Sequence, residues 1–270
     1  MITVVAVTGL VTVQDGGRPG HMHEGVPPGG PLVPELLARA NAAVGNEEGE
    51  AGLEVLGALT LAGPPGTVVA NDDGVAVELT AREPWTVRGE GGRVRYVAVR
   101  GGIAVPRVLG GRATLLGAGL GGHEGRALRR GDVLPVGEPG PVRRGLPPAA
   151  PDLEGAIHVV PGPDLERFDA SALDLLLASE FRVDPRSDRV GTRLAGPLLP
   201  RVGDDLGDLG PSCPMLRGAI QVPPSGAPIV MGPDHPTTGG YPVLAVVVVA
   251  SLGALGARPV GAVVRFAAAR

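Results

Sequence analysis

The chain has 270 residues, enough for one large domain or two of about 120–135 residues. Its net charge of −4 argues against a phosphate polymer as partner. All 24 basic residues are arginine, and the absence of lysine excludes a side-chain Schiff base, a Walker-type phosphate loop and covalent biotin on this chain.

Apolar residues make up 43% of the chain and aromatics only 2%, so valine, leucine and alanine must fill the core. The 45 glycines and 29 prolines punctuate short apolar runs, which suits many strands joined by tight turns. Strands are expected over residues 2–7, 59–62, 67–70, 75–80, 94–99, 157–160, 229–231, 243–249 and 262–266. A helix is expected over 32–44, where Leu36, Leu37, Ala40, Ala43 and Val44 keep helical spacing, with Pro34 in the first turn and Gly45 as the stop. A second is expected over 171–181, striped by Leu173, Leu176, Leu177 and Phe181 and capped by Asp169 or Ser171. The Pro/Gly-rich stretch 135–151, with its Arg143-Arg144 pair, reads as a linker. The sequence from Arg100 to Pro106 matches that from Arg217 to Pro223 at five of seven positions, a faint repeat that favours two similar β-rich domains.

The longest apolar run, 243–252, is too short to span a membrane, and the N-terminal residues carry no signal-peptide pattern. Cys213 is the single cysteine and can form no internal disulfide, which fits a reducing cytoplasm.

Three loops can carry chemistry. Gln14-Asp15-Gly16-Gly17-Arg18 lies between a strand and a helix; it is either an ordinary turn with an ion pair or an arginine fork for a carboxylate. Asp188-Arg189 sits in a comparable place after the second helix, as a strand edge or a second acid-binding pair. The densest signal is 229–241: Asp234 and His235 can perform acid–base work, and Thr237, Thr238 and the Gly239-Gly240 amides can bind an oxyanion. A rigid turn explains the same residues. His21-Met22-His23 lacks a carboxylate or cysteine to complete a metal site; His123 and His158 read as structural and Cys213 as inert.

Taken together, Thr12-x-Gln14-Asp15-x-Gly17-Arg18-x-Gly20, Ala40-Asn41-x-x-Val44-Gly45-Asn46, Leu53-Glu54, Arg100-Gly101-Gly102-Ile103, Pro161-Gly162-Pro163, Ser187-Asp188-Arg189-x-Gly191, Gln221-Val222-Pro223-Pro224 and Thr237-Thr238-Gly239-Gly240-Tyr241-Pro242 resemble the family of allophanate hydrolase subunit 2 and the 5-oxoprolinase C-type chain. The resemblance runs nearly the whole chain. It implies a mainly β protein with a few helices, built as two cyclophilin-like β-barrel domains over 1–140 and 152–270, with 141–151 between them. It implies one component of an ATP-dependent complex that opens 5-oxoproline to glutamate, inactive alone. A subunit 1 protein, like the B-type chain of 5-oxoprolinase, is the implied partner. An A-type chain is an optional third member, and ATP is used elsewhere in the complex. The family's alternatives are urea/allophanate carboxyltransferase chemistry and a regulatory protein that antagonises a kinase inhibitor. Gln14, Asp15, Arg18, Asp188, Arg189, Gln221, Thr237, Thr238, Gly239, Gly240 and Tyr241 are the expected substrate-binding residues, and Asp234 and His235 the expected catalytic ones. The chain departs from the family pattern before the first helix, where Gly29 and Val33 replace a serine and an aspartate, and again at Pro236 and Val243.

Overall fold

The computed structural model describes residues 1–142, 147–202 and 211–269. The chain forms two compact units, Met1–Pro19 with Gly29–Pro151, and Gly20–Pro28 with Asp152–Arg270. Arg143 and Arg144, the centre of the expected linker, lie outside the described residues.

The first unit contains β1 (Ile2–Gln14), α1 (Pro34–Ala43), β2 (Gly52–Ala62), β3 (Val68–Asn71), β4 (Ala76–Glu78), β5 (Trp85–Arg88), β6 (Val94–Val99) and β7 (Val133–Leu134). The strands run in the order β4-β3-β6-β2-β1-β7, with β5 also paired to β2. The long β1–β2 pair, joined through α1, is antiparallel from Thr3↔Ala62 to Gln14↔Gly52. Gly9 faces Gly57 in that register, and both have positive φ, 77° and 131°. A Cβ on either would strike the opposite strand's carbonyl, so this glycine pair lets the ribbon twist sharply where β2 exchanges β6 for β5 as its second neighbour. The sheet therefore curls round Val11, Val13, Leu53, Val55, Leu59 and Val97, all buried, as an open half-barrel.

Helix α1 buries Leu36, Leu37 and Ala40 on one face. Its N-cap, Val33, offers no side-chain cap. Buried Glu54 and Tyr96 take that role from the sheet. The Leu32 amide donates to Glu54 Oε2 at 2.8 Å, the Val33 amide to the Tyr96 hydroxyl at 2.9 Å, and that hydroxyl to Glu54 at 2.6 Å. A carboxylate at a helix N-terminus also meets the favourable end of the dipole. Gly45, with φ of 73°, ends the helix as expected.

The second unit contains β8 (Ile157–Pro161), α2 (Ala172–Ala178), β9 (Glu180–Val183), β10 (Gly191–Ala195), β11 (Cys213–Pro214), β12 (Ala219–Gln221), β13 (Ile229–Met231), β14 (Thr238–Gly239), β15 (Val243–Val247), α3 (Val249–Gly256) and β16 (Val263–Ala268). Seven strands close a barrel in the order β10-β13-β12-β15-β8-β16-β9, and β11 pairs with β14 as a separate ribbon. β16 completes the barrel, parallel to β8 and antiparallel to β9. Phe181 and Phe266 meet edge-to-face in the core, 5.9 Å apart, among Ile157, Leu176, Ile220 and Leu244.

The mainly β architecture agrees with the sequence reading; several details differ. The first sheet is open rather than closed. The apolar run from Val243 breaks at Val248, and the next residues form α3, not strand. Phe181 belongs to β9, because α2 stops at Ala178. No helix among the described residues is long and apolar enough to cross a membrane.

Candidate functional site

The expected site residues fall into two groups, one in each unit. In the first unit, β1 delivers Gln14, Asp15 and Arg18 into the interior, where they are 0%, 6% and 1% exposed. Asp15 accepts the amides of Gly17 (2.9 Å), Ala113 (3.0 Å) and Arg112 (2.6 Å). Arg18 donates to the carbonyls of Val108 and Ala113. Gln14 donates to Thr12 Oγ1 at 3.0 Å and to the Thr114 carbonyl at 3.2 Å. These side chains supply the hydrogen bonds that segment 108–114 would otherwise lack on being packed against β1, which is what buried backbone groups require. Close packing continues at Gly121, whose φ is 66°: a Cβ there would meet the Ala113 carbonyl and the Arg18 guanidinium.

In the second unit, Asp188 caps its own turn, accepting the Val190 and Gly191 amides at 2.9 and 3.0 Å. Arg189 forks onto Asp234 through Nε (2.8 Å) and Nη2 (3.0 Å), with side chains only 4% and 6% exposed. The Asp234 amide returns to the Arg189 carbonyl at 3.1 Å. His235 is 1% exposed and its Nδ1 meets the Pro236 carbonyl at 2.8 Å; because that oxygen only accepts, Nδ1 carries the proton. At the far end of the loop, Gln221 donates to the Tyr241 carbonyl at 3.0 Å, and in the middle the Met215 amide donates to the Thr237 carbonyl at 3.0 Å. The 234–241 loop is thus held at its start, middle and end.

That loop borders a cavity of about 520 Å³. Gly239, Gly240 and Tyr241 form one wall, with Tyr241 37% exposed. A Cβ at Gly239 would meet the ends of the Gln221 and Met215 side chains at 2.7 Å, so both would have to shift to admit one. Thr238 lies exposed in the same ribbon, paired to Pro214. Of the expected site residues of this unit, Asp188, Arg189, Gln221, Asp234, His235, Thr237 and Thr238 are not among the cavity's described lining residues. The turn after β8 adds Pro163, Asp164, Glu166 and Arg167 to the lining, and Met215, Ala219, Val243 and Val246 also line the cavity. Asp164 is fixed by the Val243 amide, 2.8 Å from Oδ2. The Cys213 thiol is exposed on the wall, so the cysteine read as inert stands at the site. The one sequence signal for the 163–167 turn was the Pro161-Gly162-Pro163 motif. Nothing local in the sequence announces that it faces Gly239.

A closed barrel that carries a ligand-sized cavity beside a Thr-Gly-Gly-Tyr loop, following a curled open sheet, describes a small-molecule-handling β-barrel protein. The chain belongs to the family of the carboxyltransferase domain, subdomain A and B, whose model matches residues 24–268. It is 34% identical to the C-type chain of 5-oxoprolinase from Escherichia coli, over 98% of this chain and 90% of that protein. It is 31% identical to the chain of the same name from Haemophilus influenzae, over 99% of this chain and 91% of that protein. The crystal structure of the K. lactis urea amidolyase superposes on all of this chain with a TM-score of 0.83 at 28% identity, and the chain spans 19% of that much longer protein.

Proposed function

We propose that the chain is the C-type component of an ATP-dependent 5-oxoprolinase, which adds water across the lactam C–N bond of 5-oxoproline to give glutamate, in complex with a B-type (subunit 1) partner. The observation that carries the reading is 34% and 31% sequence identity, over nearly the full length, to two proteins of that name. In this reading the 234–241 loop faces the substrate. The Gly239-Gly240 backbone and the Tyr241 phenol in the cavity lining, with the exposed Thr238 next to them in the chain, offer hydrogen-bond donors for a lactam carbonyl. Arg189–Asp234, His235 and Gln221 hold the loop in position, and Gln14, Asp15 and Arg18 hold the corresponding turn of the first unit. The chain's residues do not fit ATP as a phosphate loop would, since no lysine is present, and nucleotide chemistry is assigned to another member of the complex.

The test is reconstitution. The chain alone, its partner chains alone and the mixture are assayed for ATP- and 5-oxoproline-dependent glutamate release. Turnover is expected only in the mixture, and Thr238→Ala is expected to reduce it by about 2- to 13-fold, the worth of one neutral hydrogen bond. Absence of turnover from a properly assembled mixture, or ATP hydrolysis by the isolated chain, overturns the reading.

A further inference from the structure

Neither arginine expected to hold a substrate carboxylate faces the cavity of the second unit. Arg18 belongs to the first unit and donates to the carbonyls of Val108 and Ala113, and Arg189 forks onto Asp234 outside the described lining. Arg167 does face the cavity, and it is the one cation among the described lining residues. Residues 203–210, which precede Pro211 and lie outside the described residues, hold three aspartates and no basic residue, so they can supply no second cation. The backbone fixes where Arg167 starts from. Its amide donates to the Asp164 carbonyl at 3.0 Å, its carbonyl accepts the Val202 amide at 3.0 Å, and the next residue, Phe168, is anchored in the barrel core. Asp164 in turn accepts the Val243 amide at 2.8 Å, which fastens the turn to the start of β15, two residues past Tyr241. One cavity is thus lined by a guanidinium from this turn and by the donors of Gly239, Gly240 and Tyr241.

Resting on the reading that this chain recognises 5-oxoproline, we propose that Arg167 binds the substrate's carboxylate and so sets the preference for the free acid over carboxyl-neutral lactams. A planar guanidinium meets a carboxylate with two parallel N–H donors, while the lactam carbonyl turns to the Gly239–Tyr241 donors. The same turn carries two carboxylates. Asp164 has its Oδ2 on the Val243 amide, and Glu166 is exposed, where water and salt screen its charge. Arg167 is already engaged within its own chain, so the ligand's carboxylate joins or replaces an internal partner. The preference for the acid therefore falls at the lower end of what a charged hydrogen bond gives, about tenfold rather than about 150-fold.

Cys213 makes occupancy measurable on the intact chain, because it is the only cysteine in the sequence and is exposed in the cavity lining. The chain is alkylated with N-ethylmaleimide, and the rate at Cys213 is followed by mass spectrometry and normalised to each variant's ligand-free rate. 5-Oxoproline is compared with 5-oxoprolinamide, which keeps the ring and loses the charge. In the parent protein, half-protection by the acid is expected at a concentration at least about tenfold below that of the amide. In Arg167→Gln that advantage is expected to disappear, with protection by the amide unchanged. Arg167→Met, which keeps an apolar stem, is expected to behave alike and replaces the glutamine variant should circular dichroism show that one unfolded. An acid advantage that survives in either folded variant overturns the proposal. Equal protection of the parent by acid and amide, or protection by neither, also overturns it, and failure of both variants to fold makes Arg167 a structural residue and does the same. Each of these results leaves the enzyme assignment untouched, since that is tested separately by whether the reconstituted complex opens 5-oxoproline.

Discussion

The Arg189–Asp234 fork allows a worked prediction. Both side chains are nearly sealed from water, and two N–H···O contacts of 2.8 and 3.0 Å join them. Burial in such a setting makes each charge dependent on the other. Removing one partner takes from the second, buried charge both of these charge-assisted hydrogen bonds, a loss of about 3–5 kcal/mol. Removing both and substituting apolar groups of similar volume leaves no orphan charge. Asp234→Ala is therefore expected to destabilise the chain by about 3–5 kcal/mol, and Arg189→Met/Asp234→Leu to lie within about 1–2 kcal/mol of the parent protein. Urea unfolding followed by far-ultraviolet circular dichroism gives the difference from the midpoint and slope. If the single variant loses under about 1 kcal/mol, or the double variant is worse than the single, the pair is not holding the loop through buried charge.

Two further outcomes follow from other buried contacts. Arg126 forks onto Asp132 at 2.8 and 2.9 Å and, as the largest cause, pulls its carboxyl down from 3.8 to about 2; the Arg129 amide and His123 add to this. Because the folded value is depressed, the stabilisation is present above the unfolded pKa and is lost as pH falls from about 4 to about 2. Asp132→Asn is expected to cost about 1–2 kcal/mol at pH 7 and to flatten stability across that acid window, read from thermal melts at stepped pH. Gly121→Ala drives a methyl into the Ala113 carbonyl and forces a strained φ; a loss of at least about 2 kcal/mol is expected, and a melting temperature unchanged from the parent protein would show that the Arg18 region yields freely.

Strands were legible where β-branched runs end at glycine or proline: β6 and β13 agree to the residue with expectation. Helix α1 was legible from spacing and its two end signals. Helix α3 was not, because Val249, Leu252 and Leu255 sit among alanine and glycine with no polar face, and a helix apolar all round shows no period. Its placement comes from distant contacts, with Leu255 buried in the barrel core and the His158 amide donating to Ser251 Oγ at 3.1 Å. The full reach of β1 past Val7 was hidden by Gly9, which reads as a break until Gly57 is seen opposite it. At the site, residue type alone nominated Asp15, Arg18, Arg189 and Asp234. Whether an arginine meets a ligand or a carbonyl of its own chain depends on long-range packing that no local pattern encodes. The cavity itself joins segments around 164, 213 and 240, which only barrel closure brings together.

The seating of β16 between β8 and β9 bears on how the molecule is made. Phe266 pairs with Ile157 across about a hundred intervening residues, so contact order in the second barrel is high. The first unit's principal strand pair, β1 with β2, joins residues closer in sequence, from Gln14↔Gly52 to Thr3↔Ala62. On a ribosome adding about 5–20 residues per second, β8 and β9 wait about 5–20 s for the strand that covers both. Throughout that interval each presents an unpaired edge rich in apolar side chains, the arrangement most prone to pair with another chain. Any fragment that stops short of β16 stays in that state. The demand for a chaperone, and the sensitivity to truncation, therefore concentrate in the final few residues of the barrel rather than around its cavity.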